Sequence, residues 1–137
     1  MRGKFKNIRP KHESLREIPL EVYKQLPLKS LCKNTVKFLA KSYPEHLVTI
    51  LESDNTSYDD KFIILEFMSY SSCESCVIDS LLKYSNSDLP ALREAAVFSI
   101  SFFPNDDVVN RLEEMEIMEE NLIIKNSIKH YLQEIFA

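Results

Sequence analysis

The chain has 137 residues, 45% apolar and 28% charged, with a formal net charge of −4. That is length enough for one domain with a real core, in an ordinary soluble balance. A single glycine, Gly3, all but excludes glycine-rich phosphate loops, dinucleotide fingerprints and tight primed hairpin turns.

The first 16 residues hold Arg2, Lys4, Lys6, Arg9, Lys11 and Arg16 against Glu13 alone, a net +5. The other 121 residues hold 11 basic and 20 acidic side chains, a net −9. Residues 1–16 read as a basic, flexible leader ahead of a single domain at 17–137. They lack the apolar core of a secretory signal, and no apolar run approaches the ~18 residues that cross a bilayer. Three cysteines form no even framework, so a reducing, cytoplasmic location is expected.

Helical spacing then dominates, and no clean alternating stretch marks a strand. Pro19 and Pro27 bracket a short helix at 19–26. Leu28, Leu31, Cys32, Val36, Leu39 and Ala40 form the stripe of a helix at 28–42. Pro44 opens the next, at 44–52, from a first-turn position where its missing N–H is harmless. The polar stretch 53–58 is a loop. Phe62, Ile63, Leu65, Phe67 and Met68 are dense enough for a helix at 58–71 buried on more than one side. Helices at 74–85, 89–103, 105–116 and 119–136 complete the series. Asp88 is the expected N-cap before Leu89-Pro90, and Pro104-Asn105-Asp106 repeats that pattern. The last stripe is Leu122, Ile123, Ile128, Tyr131, Leu132 and Ile135.

Two registers run through these helices. An apolar pair followed by leucine recurs as Leu47-Val48 with Leu51, Val77-Ile78 with Leu81, and Val108-Val109 with Leu112, at intervals of 30 and 31. A basic residue stands three before an apolar or small one at Lys33, Lys61, Arg93 and Lys125, in steps of 28, 32 and 32. A period of 20–50 residues marks stacked repeats. The run 88–100 from Asp88 to Ile100, with Leu92-Arg93 and paired Ala95-Ala96, resembles the first helix of a HEAT repeat. Asn105–Leu112 resembles its second helix, and Ile124-Lys125 with Ile128 the start of another. The resemblance is weak over 28–52, and Phe62–Met68 is bulkier than the family pattern. It implies an all-α chain, a short α-solenoid of about three to four HEAT-like repeats of paired antiparallel helices. Members of that family mostly bind proteins; some bind nucleic acid, and a small branch excises damaged bases.

Chemistry-bearing motifs are sparse. Cys73-Glu74-Ser75-Cys76 has the spacing of a redox pair or half a zinc site. It lacks a second closely spaced ligand pair, and it lacks the strand-then-helix setting of a thioredoxin-type pair. Two small apolar side chains at the turn into a helix are the expectation. His12, His46 and His130 have no companions at catalytic spacing. Asp59-Asp60 and Glu119-Glu120 have no glycine to form a calcium loop and suit helix N-terminal charge instead. No catalytic residue, metal site or cofactor is expected.

The acids themselves are the stronger signal. Asp106 to Glu120 holds seven acids against Arg111 alone. If repeats stack, the loops 52–60, 85–88 and 113–120 emerge along one edge and gather an acidic rim. The residues expected to meet a partner are Asp54, Asp59, Asp60, Asp79, Asp88, Asn110, Glu113, Glu114, Glu116, Glu119 and Glu120. Tyr58 and Tyr84 are the expected aromatic anchors. These point to a non-enzymatic inhibitor of a basic protein, acting as a monomer or one-to-one heterodimer. The expected case is a bacterial immunity protein that occupies the positive cleft of a nuclease toxin. An adaptor subunit of a larger assembly is the alternative. A HEAT-like nucleic-acid-binding or base-excising protein comes third, since a net −9 repels phosphates.

Overall fold

The computed structural model describes residues 32–137. The leader, the helix expected at 19–26, residues 28–31 and His12 lie outside the described residues. Within them the chain is all-α, with seven helices: α1 (Lys33–Ser42), α2 (Pro44–Leu51), α3 (Tyr58–Phe67), α4 (Glu74–Tyr84), α5 (Pro90–Ile100), α6 (Asp106–Met118) and α7 (Leu122–Ile135).

Local chemistry sets the helix ends. Ser57 caps α3 by accepting the Asp60 N–H at 3.2 Å, and Asn105 caps α6 by accepting that of Val108 at 2.8 Å. Asn121 caps α7 by accepting from Ile123 and Ile124 at 3.0 and 3.2 Å. Pro44 and Pro90 stand in the first turns of α2 and α5. The N-cap of α5 is not Asp88 but Leu89, in extended backbone and with no side-chain cap. The Ser87 hydroxyl instead accepts the Leu89 N–H at 3.2 Å.

Helix α3 stops short of the expected 71 and tightens into a 3-10 turn, Met68–Tyr70. Hydroxyls claim its last acceptors. Ser69 donates to the Glu66 carbonyl at 3.0 Å, and Ser99 donates to the carbonyls of both Leu65 and Glu66. Helix α6 runs on to Met118, past the expected 116, so Glu113, Glu114 and Glu116 are helical and the connection to α7 is only 119–121.

Alternate helices stack: α1 on α3, α3 on α5, α5 on α7, and α2 on α4. The α3–α5 contact is the most extensive, where α5 buries the small residues Ala95, Ala96 and Ser99. Helices α4 and α5 also pack together, as do α6 and α7. The repeated apolar register lies in the buried faces of α2, α4 and α6. Leu47, Leu51, Val77, Leu81, Val108, Val109 and Leu112 are fully buried, and Val48 and Ile78 are partly so. The last stripe is corrected at its start: Ile124, Ile128, Leu132 and Ile135 are buried, whereas Leu122 and Ile123 are not.

Candidate protein-binding surfaces

Two members of the basic register, Lys61 and Arg93, act at the connections between helices. Lys61, in the first turns of α3, donates from Nζ to the Leu51 carbonyl at 2.8 Å and to the Tyr84 hydroxyl at 3.2 Å. It thus joins the ends of α2 and α4. Arg93 holds the corresponding place in α5. Its Nη1 donates to the Ser87 carbonyl at 3.0 Å, while Nε and Nη2 fork onto the Glu119 carboxylate at 2.9 and 3.1 Å. Arg111 reaches from α6 to the Ser85 hydroxyl at 3.0 Å and the Asn86 side-chain oxygen at 2.6 Å. The connections 52–57, 85–89 and 119–121 are therefore laced together in one row.

That lacing sorts the sequence-predicted contacts. Asp54, Tyr58, Asp59, Asp79, Asp88, Asn110, Glu113, Glu114 and Glu120 are exposed, and Asp60 and Glu116 are partly so. Glu114 pairs with Arg111 at 2.5 Å. Tyr84 packs partly buried against the core, its hydroxyl held by Lys61. Glu119 turns inward, with only 5% of its side chain exposed beside an Arg93 that is 20% exposed. Burial pushes its carboxyl pKa upward, but the Arg93 hydrogen bonds, the Asn121 N–H and the Arg93 charge outweigh that and hold it below the usual carboxylate range. Glu119 is thus a structural ion-pair partner. A hollow of about 360 Å³ opens over this pair, walled by Asp88, Glu114, Met118 and Glu120.

The same end of the molecule carries a feature the sequence reading missed. Ile117 and Met118 close α6, Leu122 and Ile123 open α7, and they are 80, 70, 72 and 70% exposed. Acids bracket them: Glu113, Glu116 and Glu120. The available signal was an excess of apolar residues. In Leu122-Ile123-Ile124 a helix can turn only part of the run to the core, and Ile124 is the one buried.

A second surface lies across the stacked helices α3, α5 and α7. Two adjoining hollows, each about 180 Å³, share Glu66 and Phe98. One is completed by Phe62, Glu94, Ala95 and Tyr131. The other is completed by Phe67, Ser69, Tyr70 and Phe102. Phe98 is fixed by edge-on contacts with Phe102 and Tyr131, at 5.2 and 6.3 Å between ring centres. At the neighbouring helix α1, Lys37 Nζ sits 4.8 Å over the Tyr70 ring. Burial, and then the Glu94 charge, push the Tyr131 hydroxyl pKa upward.

Cys73 and Cys76 are joined in a disulfide at the start of α4, correcting the expectation of two separate small side chains. Among the described residues no three His, Cys, Asp or Glu side chains gather as a metal site, and no helix is long and apolar enough to cross a membrane. Compared with models of known protein families, with curated proteins and with solved structures, the chain matches none.

Proposed function

We propose that this chain is a non-enzymatic protein-binding module that caps a basic partner with the end of the molecule formed by α6 and α7. The observation that carries this reading is the elbow of Ile117, Met118, Leu122 and Ile123, held in water among Glu113, Glu116 and Glu120. An apolar centre with a polar rim is the anatomy of a protein interface, and exposed apolar patches of this kind mark interaction sites. The acids select the partner's charge and speed its approach. Architecture supports the reading: stacking of alternate helices suits a short solenoid of HEAT-like repeats, which works by presenting a surface. The biological case that fits best is an inhibitor of the immunity-protein kind, covering the positive cleft of a bacterial nuclease toxin.

The apolar elbow also favours a second reading, an adaptor subunit docked permanently in a larger assembly. Stoichiometry separates the two, since an inhibitor gives a one-to-one complex with a small basic protein. The nucleic-acid reading gains no support from the groove over α3, α5 and α7, whose lining holds Glu66 and Glu94 and no basic residue.

The test is capture of the partner on the full chain, followed by affinity measurement with purified components. Ile117→Ser with Leu122→Ser, and separately Glu116→Lys with Glu120→Lys, should each weaken binding by about tenfold or more without altering the helical content. A partner that is acidic, or tight binding of duplex DNA at physiological salt that survives deletion of residues 1–16, would overturn the proposal.

A further inference from the structure

The geometry points to a second binding site, separate from the elbow: the hollow between Glu66, Glu94, Phe98 and Tyr131 receives the cationic side chain of an arginine or lysine from a polypeptide. Three observations converge on it. The hollow holds about 180 Å³, room for one long side chain and too little for a folded element. Its walls are aromatic, from Phe62, Phe98 and Tyr131, and a cation is attracted to the electron-rich face of such rings. Its charge is wholly negative: Glu66 and Glu94 line it, no lysine or arginine does, and among the described residues neither carboxylate is in a salt bridge.

The chain already makes one contact of this type nearby. Lys37 lies over Tyr70, in the wall of the adjoining hollow. A visiting guanidinium at the first hollow would extend that pattern and would pair with two carboxylates that line it. Tyr131 lies close enough to feel the Glu94 charge, so the ring and the carboxylate belong to one cup. The adjoining hollow, which shares Glu66 and Phe98, offers an aromatic seat for a neighbouring side chain of the same segment. Paired cups fit a peptide better than a free small cation. The site shares no residue with the elbow or with the hollow above Arg93 and Glu119.

The experiment uses the full chain, isotope-labelled, titrated with three short alanine-based peptides that differ in carrying arginine, lysine or citrulline. Arginine and lysine peptides should shift the ring resonances of Phe98 and Tyr131, and the citrulline peptide should not. Glu66→Gln with Glu94→Gln should weaken arginine-peptide binding about tenfold, while Ile117→Ser with Leu122→Ser leaves it unchanged. Equal binding of the citrulline peptide, shifts confined to the acidic edge, or no binding would each overturn the assignment. A free arginine amide binding as tightly as the peptide would overturn its polypeptide source.

Discussion

Replacing Arg93 with alanine strips the cation from a carboxylate that has almost no access to water. Breaking a buried ion pair from one side costs about 3–5 kcal/mol. Arg93 is itself 20% exposed, and Glu119 keeps the Asn121 N–H, so the lower end of that range applies. Loss of the bond to the Ser87 carbonyl adds about 1 kcal/mol. A total of about 4 kcal/mol corresponds to a fall in Tm of roughly 12–24 °C for a domain of this size. The control is Lys83→Ala. Its bridge to Glu52 is short, at 2.6 Å, but Lys83 is 65% exposed, and such pairs contribute about 0.5 kcal/mol or less. Urea and thermal unfolding followed by far-UV circular dichroism compare the two. If Arg93→Ala and Lys83→Ala destabilise equally, the lacing of the connections has no energetic content. Arg93→Met combined with Glu119→Leu should recover most of the loss, because an apolar pair strands no charge.

Other outcomes follow from the same geometry. The folded-state pKa of Glu119 is depressed, so its contribution is complete above the ordinary glutamate value of about 4.3 and is lost as pH falls through the lower folded value. The stability gap between the wild type and Glu119→Gln should therefore narrow on acidification below about pH 4, measured by urea unfolding at stepped pH; a gap independent of pH would remove the ionised pair from the account. Asn121→Ala deletes the cap of α7 and should cost about 1 kcal/mol, read as a lowered urea midpoint. Leu81→Ala, in the buried register of α4, should cost about 2–5 kcal/mol by the same assay. Ile117→Ser with Leu122→Ser should leave the Tm within a few degrees, since those side chains bury little in the folded chain.

The recurrence of Leu47, Val77 and Val108 was legible because helix burial is periodic and local, and a 30-residue step repeats the same local problem. Helix starts were legible wherever proline or asparagine chemistry decides them, as at Pro44, Pro90 and Asn105. Asp88 misled because its capping side chain is one residue too early for the α5 start, where Leu89 takes the extended conformation. The end of α6 misled for another reason. Ile117 and Met118 fall off the buried stripe, so apolar periodicity gave no cause to extend the helix through them. Sequence order conceals the aromatic cup altogether: Phe62, Glu94 and Tyr131 come from three helices and converge only through stacking. Nor does the two-residue interval between Cys73 and Cys76 distinguish a bond from two thiols.

Connections between helices are ordinarily where a chain accepts inserted residues, tags or whole domains at little cost. Here the usual freedom is reversed between 85 and 89. The carbonyls of Ser85 and Ser87 and the side chains of Ser85 and Asn86 are acceptors for arginines on two different helices. Lengthening that connection would detach both at once. Any fusion joined there would loosen the edge it was meant to display, so a label or reporter belongs on the polar stretch around Asp54 and Asn55, whose exposed side chains anchor no arginine among the described residues.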